Sequence, residues 1–314
     1  MSIIAMAETI IIDTDPGQDD AVAILLALAS PREIALAGVT AVAGNVPVVQ
    51  TTLNALRICD LAQRPDIPVH SGAVGPLVYA LETAEFVSGP DGLAGANLPL
   101  TTRAPRSAHA VDFIIAQLRA APHGGVTLCP IGPLTNIALA LRLAPDILPK
   151  IRRIILMGGA MNLGNITPAA EFNAYVDPHA AAIVFGSGAK IVMMGLNLTL
   201  QAICSRDQIA RIGALGSATG RAVHGMLTRP RPTGLGTDGH PMHDVCVIAW
   251  LLWPELFEGR DCFVEIDTSA SPLRGRTTID WNNRLRKPPN AHVLNKVDAT
   301  ILFDRIIERL ATLP

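Results

Sequence analysis

The sequence predicts an α/β fold: an open, mostly parallel, Rossmann-like sheet with helices on both faces, in a single domain over residues 1–314 with small C-terminal β additions. Three observations predict it. Short apolar runs rich in Ile and Val alternate with longer stretches of helical period, the pattern of strands buried on both faces. Apolar residues make up 49% of the chain and charged residues 17%, a balance that supports a large buried core and opposes disorder. No internal repeat, linker or low-complexity tract divides the 314 residues, a length that one α/β core can accommodate.

In chain order, Thr9–Ile12 reads as the first strand, Asp20–Leu28 as a helix, Ile34–Thr40 as the next strand and Val48–Leu61 as the next helix. Further strands are predicted at Val126–Leu128, Ile154–Met157 and Ile191–Met194. Helices are predicted at Ala108–Ala120, Leu134–Leu141, Pro178–Phe185 and Val245–Leu252. The last third changes character: Phe263–Asp267, Thr277–Trp281 and His292–Asn295 read as short strands before a closing helix, Ala299–Leu310. Two segments, Ser88–Pro99 and Thr228–Pro241, are dense in Gly and Pro. Each is either a binding loop or lid, or an ordinary surface connection.

Composition also excludes classes. The formal charge is −2, so no general field attracts nucleic acid or a membrane surface. No apolar run approaches the roughly 20 residues that span a bilayer. Cys59, Cys129, Cys204, Cys246 and Cys262 are scattered and never spaced as CxxC, which predicts buried reduced thiols and a cytoplasmic protein. The first residues, MSIIAMAETIIID, lack a basic region and run straight into a strand pattern, so no signal peptide is expected.

The chemistry concentrates in Ile10–Ala21, IIIDTDPGQDDA. Asp13, Asp15, Asp19 and Asp20 fall within eight positions. Side chains of a strand alternate, so Asp13 and Asp15 share a face. Pro16 and Gly17 turn the chain, and Asp19 and Asp20 then lie in the first turn of a helix, where carboxylates meet free N–H groups. In open α/β sheets ligands bind beyond the carboxyl ends of the strands. Converging carboxylates need a counter-charge, and no Lys or Arg occurs before Arg32. A divalent cation is the economical answer, and an oxygen-only donor set with adaptable geometry favours Ca²⁺ over Mg²⁺. An EF-hand does not fit, because Gln18 and Ile24 stand where Gly and Glu are required. The haloacid-dehalogenase nucleophile motif fails at Gly17, and neither a GxGxxG turn nor a P-loop is present.

DTDPGQDDA at Asp13–Ala21 resembles the N-terminal signature of the inosine–uridine-preferring nucleoside hydrolases. Further stretches match in the family's order: VAGNV at Val42–Val46, IGPLTNIA at Ile131–Ala138, MGGA at Met157–Ala160, GNITPAAEFN at Gly164–Asn173, DPHAA at Asp177–Ala181 and the pair His243–Asp244. The resemblance covers most of the chain. It implies a homodimer or homotetramer with the nucleoside hydrolase fold that splits the N-glycosidic bond of ribonucleosides in nucleoside salvage.

The resemblance also implies roles. Asp15, Asp20, Asp244 and the backbone carbonyl of Ile131 would ligate Ca²⁺. Asp19, Asn45, Asn165, Glu171 and Asn173 would hold ribose hydroxyls, Met157 and Phe172 would line the sugar pocket, and Asp13 would orient the cluster from behind. Two further roles follow from mechanism: Asp15, able to touch both metal and water, is the expected general base, and His243, placed at the pocket rim just before Asp244, or its near neighbour His240, is expected to assist the leaving base. Composition alone gives each a plainer reading. Met157 and Phe172 could be core, Asn165, Glu171 and Asn173 turn residues, and Asp244 a helix cap.

The chain departs from the family at Ser88, where many members carry His in an HGxxGL pattern, so base preference stays open between purines and pyrimidines. His179, in place of the family's common Glu, reads as structural, and Trp250 and Trp253 read as core. Two rival functions remain at this level. One is a Mg²⁺-dependent phosphatase, for which no phosphate-binding Lys, Arg or Gly-rich loop accompanies the acids. The other is a nucleoside-binding paralogue without turnover.

Overall fold

Strand β1 (Glu8–Thr14) ends in the Pro16–Gly17 turn that launches helix α1 (Gln18–Leu28). Every residue of α1 is buried, and after its polar first turn the helix is apolar all round from Ala21 to Leu28, as burial on every side requires. The computed structural model describes residues 7–229 and 239–314. The middle of the segment Thr228–Pro241 therefore lies outside the described residues.

The chain continues through β2 (Ile34–Ala41), α2 (Val48–Leu61), β3 (Val69–Ser71), α3 (Glu85–Ser88), α4 (Ala110–Ala120), β4 (Val126–Pro130), α5 (Thr135–Leu143) and β5 (Ile151–Met157). A single-turn helix α6 (Phe172–Val176) then precedes α7 (Pro178–Phe185), β6 (Ile191–Met194), α8 (Leu196–Thr199), β7 (Ile203–Ser205), α9 (Arg206–Gly213), α10 (Ala218–Leu227) and β8 (Gly239–Pro241). The last third holds α11 (Val245–Leu252), β9 (Phe257–Cys262), β10 (Val264–Ile266), β11 (Thr277–Ile279), β12 (Ala291–Val297) and α12 (Ala299–Leu310).

Eight of these strands form one sheet in the order β3-β2-β1-β4-β5-β6-β12-β9, parallel throughout except for β9 at the edge. The two-residue period of each strand feeds two cores. Ile10, Ile12, Ile155 and Met157 join the core packed with α1, α2, α11 and α12, while Ile11, Ile154 and Leu156 join the core packed with α4, α5 and α7. Helix α1, which follows β1, therefore covers one face, and α5, which follows β4, covers the other. Because β1 and β4 are neighbours, their outgoing connections part and leave a crevice at the carboxyl end of the sheet.

The mostly parallel sheet with helices on both faces is the predicted architecture. Two of the three late strands are a separate antiparallel pair, β10 with β11. The third, His292–Asn295, is part of β12, which lies inside the main sheet parallel to β6. Strand β9 carried no usable signal: its sequence FEGRDC has four exposed central residues, as a polar sheet edge does. Helix α9 did carry one, since Ser205 and Gln208 form a reciprocal capping box. Trp253 is buried and Trp250 packs in the same core beneath the Arg153 guanidinium, as expected of packing residues. All five cysteines are free and buried. No described helix is long and apolar enough to cross a membrane.

Helix α1 delivers two of the acidic residues, so its seating governs the crevice. Replacing the fully buried Leu25 by Ala removes core contacts on both sides and is expected to cost about 2–5 kcal/mol in chemical denaturation. A loss under about 1 kcal/mol would mean that the helix tolerates a void there.

Candidate active site

The crevice forms where the β1 strand stops. The Ile131 N–H donates to the Asp13 carbonyl at 2.7 Å, which ties the end of β4 to that of β1. Beyond it, Asp15 lies in a cradle made by two glycines. A Cβ on Gly44 would lie 2.2 Å from Asp15 Oδ2, and one on Gly132 would lie 2.5 Å from Asp15 Oδ1. Any other side chain at either place would displace the carboxylate. The Asn45 N–H donates to Asp15 Oδ2 at 2.7 Å and its Nδ2 donates to the Asp15 carbonyl at 3.1 Å. Asp15 Oδ1 is buried without a hydrogen-bond partner, an expensive state for a carboxylate that lacks a cation.

Asp13 lies behind Asp15 and is fully buried. Its Oδ1 accepts from Thr40 Oγ1 at 2.5 Å and from Asn136 Nδ2 at 2.8 Å, and its Oδ2 has no partner. Gly17 caps α1, and Asp20 occupies the third helical position, where it accepts from the Gly17 N–H at 3.0 Å and from Thr14 Oγ1 at 2.6 Å. Asp19, from the same turn, accepts from the His243 N–H at 3.2 Å. Asp244 arrives at the start of α11, more than 200 residues later in the chain, and Asp19, Asp20 and Asp244 offer carboxylate oxygens within 4.8 Å of one another. Asp15 stands outside that trio by this measure, yet close enough to feel the charges of Asp20 and Asp19.

Burial raises Asp13, and burial with mutual repulsion raises Asp15, Asp20 and Asp244. Desolvation, relieved in part by Thr40 and Asn136, lifts Asp13 to about 7. Desolvation and then the charge of Asp19 lift Asp20 to about 6. Asp15 and Asp244 rise well above the ordinary carboxylate range, first from burial and then from the charge of Asp20. Asp20 and Asp244 share a hydrogen bond that favours the proton on Asp244. None of the described residues lining the cavity is Lys or Arg. An orphaned oxygen on Asp15, a tight trio of acids and an all-oxygen donor set fit a divalent cation.

The opposite wall comes from β5 and α6. Glu171 caps α6, accepting from the Asn173 N–H at 2.9 Å and the Ala174 N–H at 3.1 Å. It also accepts from the Gly159 N–H at 2.7 Å. Its carboxylate is raised by burial. Asn173 Nδ2 donates to the carbonyls of Ile131 at 3.0 Å and Met157 at 3.2 Å. Asn173 thus takes up one lone pair of the Ile131 carbonyl. Asn165 Oδ1 accepts from the Phe172 N–H at 2.9 Å. Asn45, Glu171 and Asn173, expected to hold ribose hydroxyls, thus each also brace the backbone or side chains of the wall they stand on.

These residues line one cavity of about 260 Å³. Of the sequence-predicted set, Asp15, Asp19, Asn45, Ile131, Met157, Asn165, Glu171, Phe172, Asn173, His243 and Asp244 lie on its surface, while Asp13 and Asp20 lie behind it. Phe172 is half-buried and faces the cavity, and Met157 serves both the cavity and the core. His243 Nδ1 lies 2.8 Å from Thr199 Oγ1. His240 sits in β8 opposite Cys204 and is not part of the cavity wall. His179 is half-buried on α7 beside the Tyr79 ring, also away from the cavity.

Sequence reasoning missed the apolar residues of the cavity wall, Phe86, Val87, Leu163, Ile166 and Leu200. The exposure of Phe86 and Leu163, both large apolar residues, was a signal that only the fold reveals. Thr14, Thr40 and Asn136, which hold the acids, were also missed, because hydroxyl and amide residues in strands and helices carry no pattern of their own. Ser88 lines the cavity and donates to Asn45 Oδ1 at 3.3 Å. The rest of Ser88–Pro99 is pinned down: Leu93, Ala94, Ala96 and Leu98 are buried, Gln18 donates to the Ala94 carbonyl, and Asn54 donates to the Asp91 carbonyl. That segment is packed structure rather than a lid.

Comparison with known proteins places this architecture. Residues 10–304 match the family described as inosine–uridine preferring nucleoside hydrolase. An uncharacterised protein of Schizosaccharomyces pombe is 50% identical over 97% of this chain and 99% of its own. The pyrimidine-specific ribonucleoside hydrolase RihA of Shewanella sp. strain ANA-3 is 45% identical over 98% of this chain and 97% of its own. The solved structure of a purine-preferring ribonucleoside hydrolase from Gardnerella vaginalis superposes with a TM-score of 0.89. It shares 32% identity, covering 97% of this chain and 98% of that one.

The raised carboxyls make the cation-free protein sensitive to pH. A folded-state pKa above the unfolded value means that the folded form holds the proton more tightly. The stabilisation is then present below about pH 4 and disappears as pH climbs through about 6 for Asp20 and about 7 for Asp13. In chelator, wild-type Tm should therefore fall relative to that of Asp13→Asn between about pH 4 and about pH 7. A constant difference across that window would show that Asp13 does not titrate there.

Proposed function

This chain belongs to the inosine–uridine preferring nucleoside hydrolase family and is a ribonucleoside hydrolase; from that premise we propose that it is calcium-dependent, with Asp15 as general base. The observation that carries the reading is the buried acidic cluster with its orphaned Asp15 oxygen and no described Lys or Arg in the cavity wall. Asp15, Asp20, Asp244 and the Ile131 carbonyl would hold the cation, which when bound would neutralise the cluster and lower the pKa of a water.

Asp15 takes a proton from the water as the water oxygen bonds to the anomeric carbon, while the bond from that carbon to the base nitrogen breaks and its electron pair leaves with the base. The neighbouring carboxylates stabilise the positive charge that develops on the ring. Asp19, Asn45, Asn165, Glu171 and Asn173 orient the ribose hydroxyls, with Met157 and Phe172 against the sugar. Direct attack by water inverts the anomeric carbon. His243, on the cavity wall beside Asp19, assists departure of the base in preference to His240.

The base itself packs against the apolar wall residues, among them Phe86, Leu163 and Leu200. Similarity to a pyrimidine-specific relative at 45% identity, against 32% for the purine-preferring structure, favours pyrimidine ribonucleosides. The buried thiols suit a cytoplasmic enzyme, and a role in nucleoside salvage with a homodimeric or homotetrameric assembly accompanies this reading.

Ribose release from uridine, cytidine, inosine, adenosine and guanosine tests the proposal directly, with the pyrimidine nucleosides expected to react fastest. Tight nucleoside binding with no ribose released would favour a binding protein instead. A purine optimum would leave the mechanism standing and reverse the base assignment.

Asp15→Ala is expected to lower kcat by roughly 10²–10⁴-fold. A variant that retained more than about a tenth of wild-type kcat would remove Asp15 from the role of general base. Under the same assay His243→Ala should lose turnover while His240→Ala keeps it, and the reverse pattern would exchange the two assignments.

A further inference from the structure

We propose that Arg274, which lies outside the cavity, is a positioning residue that sets the sugar-side wall by clamping the far end of α6. The inference rests on the reading that this wall binds the ribose.

Helix α6 is five residues long, too short to hold its own shape in water. Its first N–H groups are satisfied by Glu171, while its last carbonyls need partners from elsewhere in the chain. Arg274, from the connection between β10 and β11, supplies them. Its Nε donates to the Tyr175 carbonyl at 3.1 Å and its Nη2 to the Val176 carbonyl at 3.5 Å. A guanidinium at a helix C-terminus also complements the helix dipole.

The guanidinium is itself locked. Its centre lies 3.9 Å from the Tyr79 ring centroid and 4.1 Å from that of Tyr175, and Nη1 donates to Glu82 Oε1 at 2.9 Å. The Tyr175 hydroxyl donates to the same carboxylate at 3.1 Å. The Arg274 side chain is only 12% exposed, so its stacking on the two rings is largely shielded from water, while the Glu82 carboxylate stays half-exposed.

A second observation points the same way. Gly275 has φ +76°, and a Cβ there would lie 2.5 Å from Tyr175 Cα and 2.8 Å from the Ala174 carbonyl oxygen. The backbone after Arg274 thus presses directly on α6. Two residues on, Thr277 Oγ1 accepts from the Ala160 N–H at 2.9 Å and so anchors the turn after β5. The β10–β11 hairpin therefore holds both elements that present Met157, Phe172 and Asn173 to the cavity, although Arg274, Tyr175 and Glu82 do not line it.

Ribose contacts made alike in ground and transition states affect KM more than kcat. Arg274→Ala should raise KM about tenfold while kcat changes less than about threefold, with the same factor for uridine and inosine because the wall meets the sugar. Arg274→Lys should resemble it, since Lys keeps the charge but has neither the fork nor the planar stack. Hydrogen exchange of the 173–176 amides should speed up in both variants at nearly unchanged Tm. Should Arg274→Ala fail to fold, Glu82→Gln, at a half-exposed position, should show the same KM shift on a smaller scale.

Wild-type kinetic constants in Arg274→Ala, or full activity in Arg274→Lys, would overturn the proposal. So would a fall in kcat alone that matches lost folded protein. A wild-type enzyme that releases no ribose would defeat the functional reading, while the exchange measurement would still decide whether Arg274 holds α6.

Discussion

Several carboxylates are gathered out of water at the point where neighbouring strands send their chains to opposite faces of the sheet. Left alone, Asp15, Asp20 and Asp244 repel one another and lose hydration, and each is pushed towards its protonated form. Most features near the cavity manage that strain. Thr14, Thr40, Asn45 and Asn136 aim donors at the acids, and α1 presents the Gly17 N–H to Asp20. Gly44 and Gly132 yield the space that Asp15 occupies. One Asp15 oxygen still lacks a partner, and a bound cation would resolve that deficit.

The other wall is built on different physics. It contains few charges and depends on backbone capping. Glu171 draws together the turn after β5 and the start of α6, and Asn173 bridges the ends of β4 and β5 through two carbonyls. A short helix held at both ends can place a side chain as firmly as a long one, provided its caps are buried. A rigid wall facing a strained acidic floor suits a reaction in which the sugar must be held still while charge develops on it.

Much of this was legible in the sequence because it is local. The Ile-rich strand before Asp13, the Pro16–Gly17 turn and the apolar α1 lie within thirty residues, so alternation and turn chemistry locate the acids at a strand's carboxyl end. The extent of α2 follows from apolar periodicity, and α7 and α11 are apolar runs bounded by Asp177 and Gly186 and by Asp244 and Trp253–Pro254. Strand β9 was illegible because an edge strand with polar faces leaves no periodic trace. The position of His292–Asn295 inside the main sheet was hidden because neighbour order is a property of assembly and not of any single segment.

The sequence by itself determined the α/β class, the acidic first turn and the family to which the motifs belong. Each depends on residues close together in the chain or on an ordered set of short motifs. Tertiary structure decided which distant groups meet: Asp244 with Asp19 and Asp20, Asn173 with the Ile131 carbonyl, His243 rather than His240 on the cavity wall, and Arg274 beneath α6. Contacts between residues some forty or more apart in the chain leave no local pattern, because the free energy that selects them comes from burying both partners together in the folded sheet.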